Sequence, residues 1–145
     1  MNDDKTKNID QLNSFLRGEL SAVETYSQCM DEVKDATVVA QLRGLRDSHQ
    51  IRARMLRERV LAMGGEPAES SGVWGSFAKL VAGGAKLLGP KAAISALEEG
   101  EDHGRDDYLR DMSELSADNR FFVEQQILPE QKRTHAALTR IQDVV

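Results

Sequence analysis

Residues 18–26 read GELSAVETY, and residues 100–108 read GEDHGRDDY. Each stretch opens on Gly-Glu and closes on a tyrosine seven residues after the glutamate, and the two copies stand eighty-two residues apart. On a helix, positions seven apart lie two turns apart on one face. Around the first copy the apolar positions run Ile9, Leu12, Leu16, Val23, Met30 and Val33, a three-and-four spacing whose vacant slots are Glu19 and Tyr26. Phase therefore turns Glu19 toward a core. A carboxylate written inward twice has to be met by cations, either side chains or ions.

The rest of the chain is consistent with helices. Its 145 residues suit one domain, long enough to bury about two-thirds of the surface its unfolded form exposes. Composition is 30% charged, 40% apolar and 5% aromatic, with three prolines and no β-branched runs, which predicts an all-α fold. The net charge of −5, with both signs interspersed, leaves no basic stripe for a phosphate backbone and argues against nucleic acid. A single cysteine, Cys29, rules out an intramolecular disulfide and a cysteine-based zinc cluster and fits a reducing compartment. The opening MNDDKTKNID has no apolar core of a secretory signal, so a cytoplasmic location is expected.

The spacing predicts four helices, over about 8–34, 36–63, 90–115 and 118–143, in one bundle domain spanning 1–145. The second carries Leu42, Arg46, His49, Ala53, Leu56, Val60 and Met63 on one face and ends at Gly64-Gly65. Residues 64–89, rich in Gly, Ser and small apolar residues, read as a long crossover containing a short apolar helix with Trp74, Phe77 and Leu80. That helix is too short and too polar to span a bilayer; packing against the bundle is favoured over docking on a membrane surface or partner. Pro90 opens the third helix, which carries Ile94, Glu98, Glu101, Tyr108, Met112 and Leu115. In the fourth, Pro129 should kink the helix by removing the bond to the Gln125 carbonyl, and His135, Leu138, Ile141 and Val145 form the expected inner face.

Hairpin, long crossover, hairpin is the connectivity of ferritin-like bundles, whose interiors often hold metal between one Glu from each of two helices and a Glu-x-x-His pair from each of the others. Here the first and third helices supply Glu19 and Glu101, and the second and fourth supply His49 and His135, two of only three histidines. Three residues before each histidine, where the carboxylate would stand, are Arg46 and Lys132. By helical phase Gln131 is a rival to Lys132 for the inward position, and Glu98, one turn before Glu101, is a substitute ligand if the register shifts. His103 falls on the outer side, and Cys29 has no catalytic partner.

Family resemblance points the same way. LNSFLRGELSAVETY resembles the first helix of bacterioferritins and rubrerythrins, where a Gly-Glu or Asn-Glu followed by Ala and Tyr marks the first iron ligand. SHQIRARMLRERVLAMGGEPAE resembles the second helix of bacterioferritin, and GED with Tyr108 and the THAALTRI ending resemble its second hairpin. The overall pattern is similar to an uncharacterised bacterial family, a ferritin-like domain of unknown function. The resemblance implies a di-iron site of four Glu and two His, from which this chain departs twice, at Arg46 and Lys132.

Those two bases would face Glu19 and Glu101 and balance them without metal, giving a salt-bridged core in which Tyr26 and Tyr108 hydrogen-bond the carboxylates. The expectation is therefore a non-enzymatic structural or interaction module without a cofactor, acting with a protein partner or as a homodimer. The alternative is a reduced site of Glu19, His49, Glu101 and His135 that binds iron, manganese or zinc and performs iron oxidation or peroxide chemistry.

Overall fold

A computed structural model describes residues 2–72 and 89–145. It is all-α, with four helices and, among the described residues, no strand. The first, α1, covers Asn2–Met30; α2 covers Ala36–Ala62; α3 covers Pro90–Asp111 and runs into a single 3₁₀ turn, Met112–Glu114. The fourth, α4, is a composite of Ala117–Phe122, a π-helical turn at Val123–Ile127, and Leu128–Val144. The expected crossover helix, with Trp74, Phe77 and Leu80, lies outside the described residues. None of the described helices is long and apolar enough to cross a membrane.

Local chemistry sets the boundaries. Asp35 caps α2, its carboxylate accepting from the backbone N–H groups of Thr37 and Val38 at 2.9 and 3.2 Å. At the other end Gly64 takes φ +80°, a left-handed conformation that closes the helix, and a Cβ on Gly65 would stand 2.7 Å from Ile9 Cγ2. Asn13 pins the chain that follows: its side chain donates to the Glu66 carbonyl at 2.9 Å and accepts from the Ala68 N–H at 2.8 Å. In α4, Pro129 has no N–H for the Gln125 carbonyl, and the helix widens just before it, with Leu128 N–H reaching back five residues to the Val123 carbonyl.

Cross-helix pairs give the directions. Asn13 meets Glu66, Glu19 meets His49, and Ser27 meets Arg46, so α1 and the chain through α2 run antiparallel. Ser95 meets Gln142, Glu98 meets Thr139 and Asp102 meets His135, so α3 and α4 do too. The apolar core lies in two halves. One contains Cys29, Val38, Leu42, Ile94, Leu97 and Leu138, the other Leu12, Leu16, Leu56, Val60, Val123 and Ile127. Between them runs a layer of buried polar side chains: Glu19, His49, Arg52, Glu101, Gln131 and Thr134.

Candidate functional site, a buried polar layer

Each helix contributes two residues to the layer, three or seven positions apart and so on one face: Glu19 and Tyr26 from α1, His49 and Arg52 from α2, Glu101 and Tyr108 from α3, Gln131 and Thr134 from α4. His49 stands at the centre. Its Nδ1 lies 2.8 Å from Glu19 Oε1 and its Nε2 lies 2.7 Å from Glu101 Oε1. Both acceptors are carboxylate oxygens, so the ring satisfies both as an imidazolium donating from each nitrogen. Burial opposes that charge and Arg52 opposes it further, but Glu19 and Glu101 outweigh them and hold the His49 pKa above its ordinary value.

Arg52 is the second cation and is fully buried. Its Nε lies 3.1 Å from Glu19 Oε2. Its Nη2 lies 2.8 Å from His49 Nδ1, donor against donor when the ring is charged, and donates to Thr134 Oγ1 at 3.2 Å. Thr134 Oγ1 in turn lies 3.2 Å from Glu101 Oε2, so Arg52 reaches one carboxylate directly and the other through a hydroxyl. Burial alone would raise both glutamates. Arg52 and then His49 reverse this at Glu19, and His49, with Tyr26 and Arg52, reverses it at Glu101, so both carboxyls sit below their usual range. Two carboxylates thus face two protein cations, and the layer is balanced as it stands.

The tyrosines cross over. Tyr26 of α1 donates to Glu101 of α3 at 2.7 Å, and Tyr108 of α3 donates to Glu19 of α1 at 3.2 Å. Burial, then the facing carboxylate, pushes both phenols well above their ordinary pKa, so they remain hydrogen-bond donors. Beside them a cavity of about 70 Å³ opens between α1 and α3, lined by Gly18, Glu19, Gly100, Glu101, Tyr108 and Gln131. Gln131 donates to the Glu101 carbonyl at 3.1 Å, while its Oε1 is buried with no partner among the described residues.

Several expected positions are corrected. Arg46 is not in the layer: it is half-buried at the rim, with Nη1 3.3 Å from Ser27 Oγ and Nε 3.9 Å from Asp47. Lys132 is exposed, and Gln131 takes the inward position. His135 faces away from Glu19 and Glu101, toward Asp102 at 2.5 Å and Glu98 at 3.6 Å. Glu98 belongs with it, half-buried, its Oε1 accepting from Thr139 Oγ1 at 2.9 Å. The reason is one of phase. His135 follows Thr134 by one residue, which rotates it by about 100° around α4, off the buried stripe.

Arg52, Thr134 and Asp102 were not anticipated from the sequence. A signal for the first two existed. The eighty-two-residue offset that relates Glu19 to Glu101 and Tyr26 to Tyr108 also relates His49 to Gln131 and Arg52 to Thr134. On α2, moreover, Leu45, His49, Arg52, Leu56 and Val60 are themselves a three-and-four series, and all are buried.

The arrangement does not place Glu19, His49 and Glu101 around one point, because the imidazole lies between the carboxylates with a different nitrogen toward each. Among the described residues, the metal-type side chains whose ligand atoms all fall within 4.8 Å of one another are Glu98, Asp102 and His135. Cys29 is buried in one apolar half, and burial pushes its thiol up to about 11, as befits a packing residue.

Comparison with known proteins adds a family. The profile of a Domain of unknown function (DUF2383) matches residues 7–114, about three-quarters of the chain. The chain belongs to the DUF2383 family. No curated protein and no solved structure matches it. The DUF2383 match takes in Glu19, Tyr26, His49, Arg52, Glu101 and Tyr108, and it ends before α4, which adds Gln131 and Thr134.

Proposed function

We propose that this DUF2383 protein is a ferritin-like bundle whose interior is held together by its own cations in place of metal ions, and that it serves as a structural or interaction module and not as an enzyme. The observation that carries this reading is Arg52, a fully buried guanidinium 3.1 Å from Glu19, in the layer where a ferritin-like protein would keep its metals.

The ferritin-like part of the reading is supported by direction. α1 lies antiparallel to α2, and the pairs Tyr26 with Glu101 and Glu19 with Tyr108 make it antiparallel to α3 as well. Two helices that both oppose α1 run the same way, so the end of α2 and the start of α3 stand at opposite ends of the bundle, which supports the overhand connectivity of ferritin-like bundles.

The residues present do not fit a pair of ions. A two-metal centre needs carboxylates that bridge, and the inward positions on α2 and α4 hold His49, Arg52, Gln131 and Thr134. An ion entering beside Glu19 would have to displace Arg52 and deprotonate His49. Nor does His135 join the other two-Glu, one-His members on one ion. The reading extends to a cytoplasmic location and to a protein partner or a second copy as the binding target.

The test is activity in the presence of the metals that ferritin-like sites use. Purified protein incubated anaerobically with ferrous iron and then exposed to oxygen or peroxide should oxidise iron no faster than buffer with an inert protein. Substantial oxidation that is lost in His49→Gln would overturn the reading.

A further inference from the structure

Outside the buried layer, α3 and α4 bring a second chemically distinct group together. Glu98 and Asp102 are four residues apart and so share one face of α3, and His135 on α4 points between them. We propose that Glu98, Asp102 and His135 bind one divalent transition ion of the zinc type, at the α3–α4 face and apart from the interior cluster.

Geometry is the first support. Zinc holds histidine nitrogen and carboxylate oxygen at about 2.0–2.2 Å, which in a tetrahedron separates ligand atoms by about 3.3 Å. His135 Nε2 lies 3.6 Å from Glu98 Oε1 and 2.5 Å from Asp102 Oδ1, and all three ligand atoms fall within 4.8 Å of one another. The His135–Asp102 edge has to open by less than about 1 Å and the Glu98–Asp102 edge, within 4.8 Å, has to settle toward the same value; Asp102 and His135 are both partly exposed and able to give.

The second support is a polar atom without a partner. Glu98 Oε2 is shielded from solvent and has no hydrogen-bond donor among the described residues, while Oε1 is already served by Thr139 Oγ1 at 2.9 Å. A shielded carboxylate oxygen with no donor is costly, and an ion held by both oxygens of Glu98 would satisfy it. The same hydroxyl lies 3.0 Å from the His135 carbonyl, and its one proton can serve either acceptor, so Thr139 sits beside two of the three ligands.

Charge and donor type then narrow the ion. Two carboxylates and an unprotonated imidazole carry a charge of −2, which a divalent ion neutralises. Arg105 is the competing cation, 3.6 Å from Asp102 Oδ1. It is partly exposed and already 3.2 Å from Asp106, to which it can turn. The imidazole favours zinc, iron, cobalt or nickel over magnesium and calcium, and the lack of a thiolate disfavours copper(I). Three protein ligands leave a fourth position for water.

The experiment uses the full chain, stripped with EDTA and dialysed, titrated with zinc by calorimetry and assayed for zinc after desalting. One zinc per chain is expected, with affinity about tenfold weaker or worse in His135→Ala and in Glu98→Gln, both keeping the wild-type helical circular dichroism. His103→Ala should bind as the wild type does, and so should His49→Gln at a pH where it keeps the wild-type helical circular dichroism. No zinc bound by the wild type, or zinc held equally well by His135→Ala and Glu98→Gln, would overturn the proposal and leave the metal-free interior untouched. Zinc lost in His49→Gln and kept in His135→Ala would overturn both.

Discussion

Tyr26 donates to Glu101 across the bundle at 2.7 Å, joining the first helix of one hairpin to the first helix of the other inside a layer that excludes solvent. Hydrogen bonds to charged groups are worth about 1.5–3 kcal/mol. In Tyr26→Phe the carboxylate keeps His49 and Thr134, so a loss near the lower end, about 1.5 kcal/mol, is expected. The longer Tyr108 contact, 3.2 Å to Glu19, should cost less on Tyr108→Phe, about 1 kcal/mol. Urea unfolding of both variants measures this, and two neutral substitutions would contradict the pairing.

Arg52 should be far more costly to remove than either base expected from the sequence. Arg52→Met leaves Glu19 buried with less compensating charge, a loss of about 3–5 kcal/mol. Adding Glu19→Gln to Arg52→Met should recover part of that loss, a positive coupling in a double-mutant cycle. Lys132→Ala is expected to lie within about 0.5 kcal/mol of the wild type, and Arg46→Ala within about 1 kcal/mol. If Arg46→Ala proves as damaging as Arg52→Met, the layer is held from the rim and the assignment is wrong.

The pH dependence follows from the directions of the shifts. Glu19 and Glu101 have folded pKa values below the ordinary 4.5, so their stabilisation is complete above 4.5 and is lost as pH falls toward their folded values. His49 has a folded pKa above 6.5, so its stabilisation is complete below 6.5 and is lost as pH rises through its folded value. The layer's contribution should therefore be flat between pH 4.5 and 6.5 and decline on both sides. His49→Gln should lose the alkaline decline and keep an acid one, read from Tm against pH. An alkaline limb that survives the substitution would mean another group controls it.

Much of this was legible in the sequence, and the failures have a common cause. Glu19, Tyr26, Glu101 and Tyr108 could be placed inward because each interrupts an apolar stripe that otherwise repeats at helical spacing. Lys132 was placed by analogy with the carboxylate three residues before a histidine, and Arg46 by that analogy together with a stripe drawn through Leu42, His49 and Ala53. α2 buries Leu45, Ser48 and Arg52 alongside Leu42, His49 and Leu56, a face broad enough that a single stripe misjudges its centre. On α4 the π turn at Val123–Ile127 shifts the phase ahead of Gln131 and Thr134. The conserved internal offset carried the information that periodicity missed, since counting eighty-two from His49 and Arg52 lands on Gln131 and Thr134.

Glycine in the middle of α3 is not demanded by packing. A Cβ on Gly100 would meet no atom within 4 Å, since that side of the helix borders the cavity between α1 and α3. Alanine should therefore bring its full helix propensity, and Gly100→Ala is expected to stabilise the protein by about 0.5–1 kcal/mol in urea unfolding. A loss of similar size would show that the cavity wall closes more tightly than the described residues indicate.

The central claim, that the interior is held by protein cations, is tested most directly at the His49 ring. The measurement is the nitrogen NMR spectrum of its imidazole at pH 6, taken with and without added ferrous iron or zinc. Both ring nitrogens should be protonated, bonded to Glu19 and Glu101, and unmoved by one equivalent of either metal. A nitrogen that carries no proton, and whose signal shifts when metal is added, would contradict the account and make His49 a ligand.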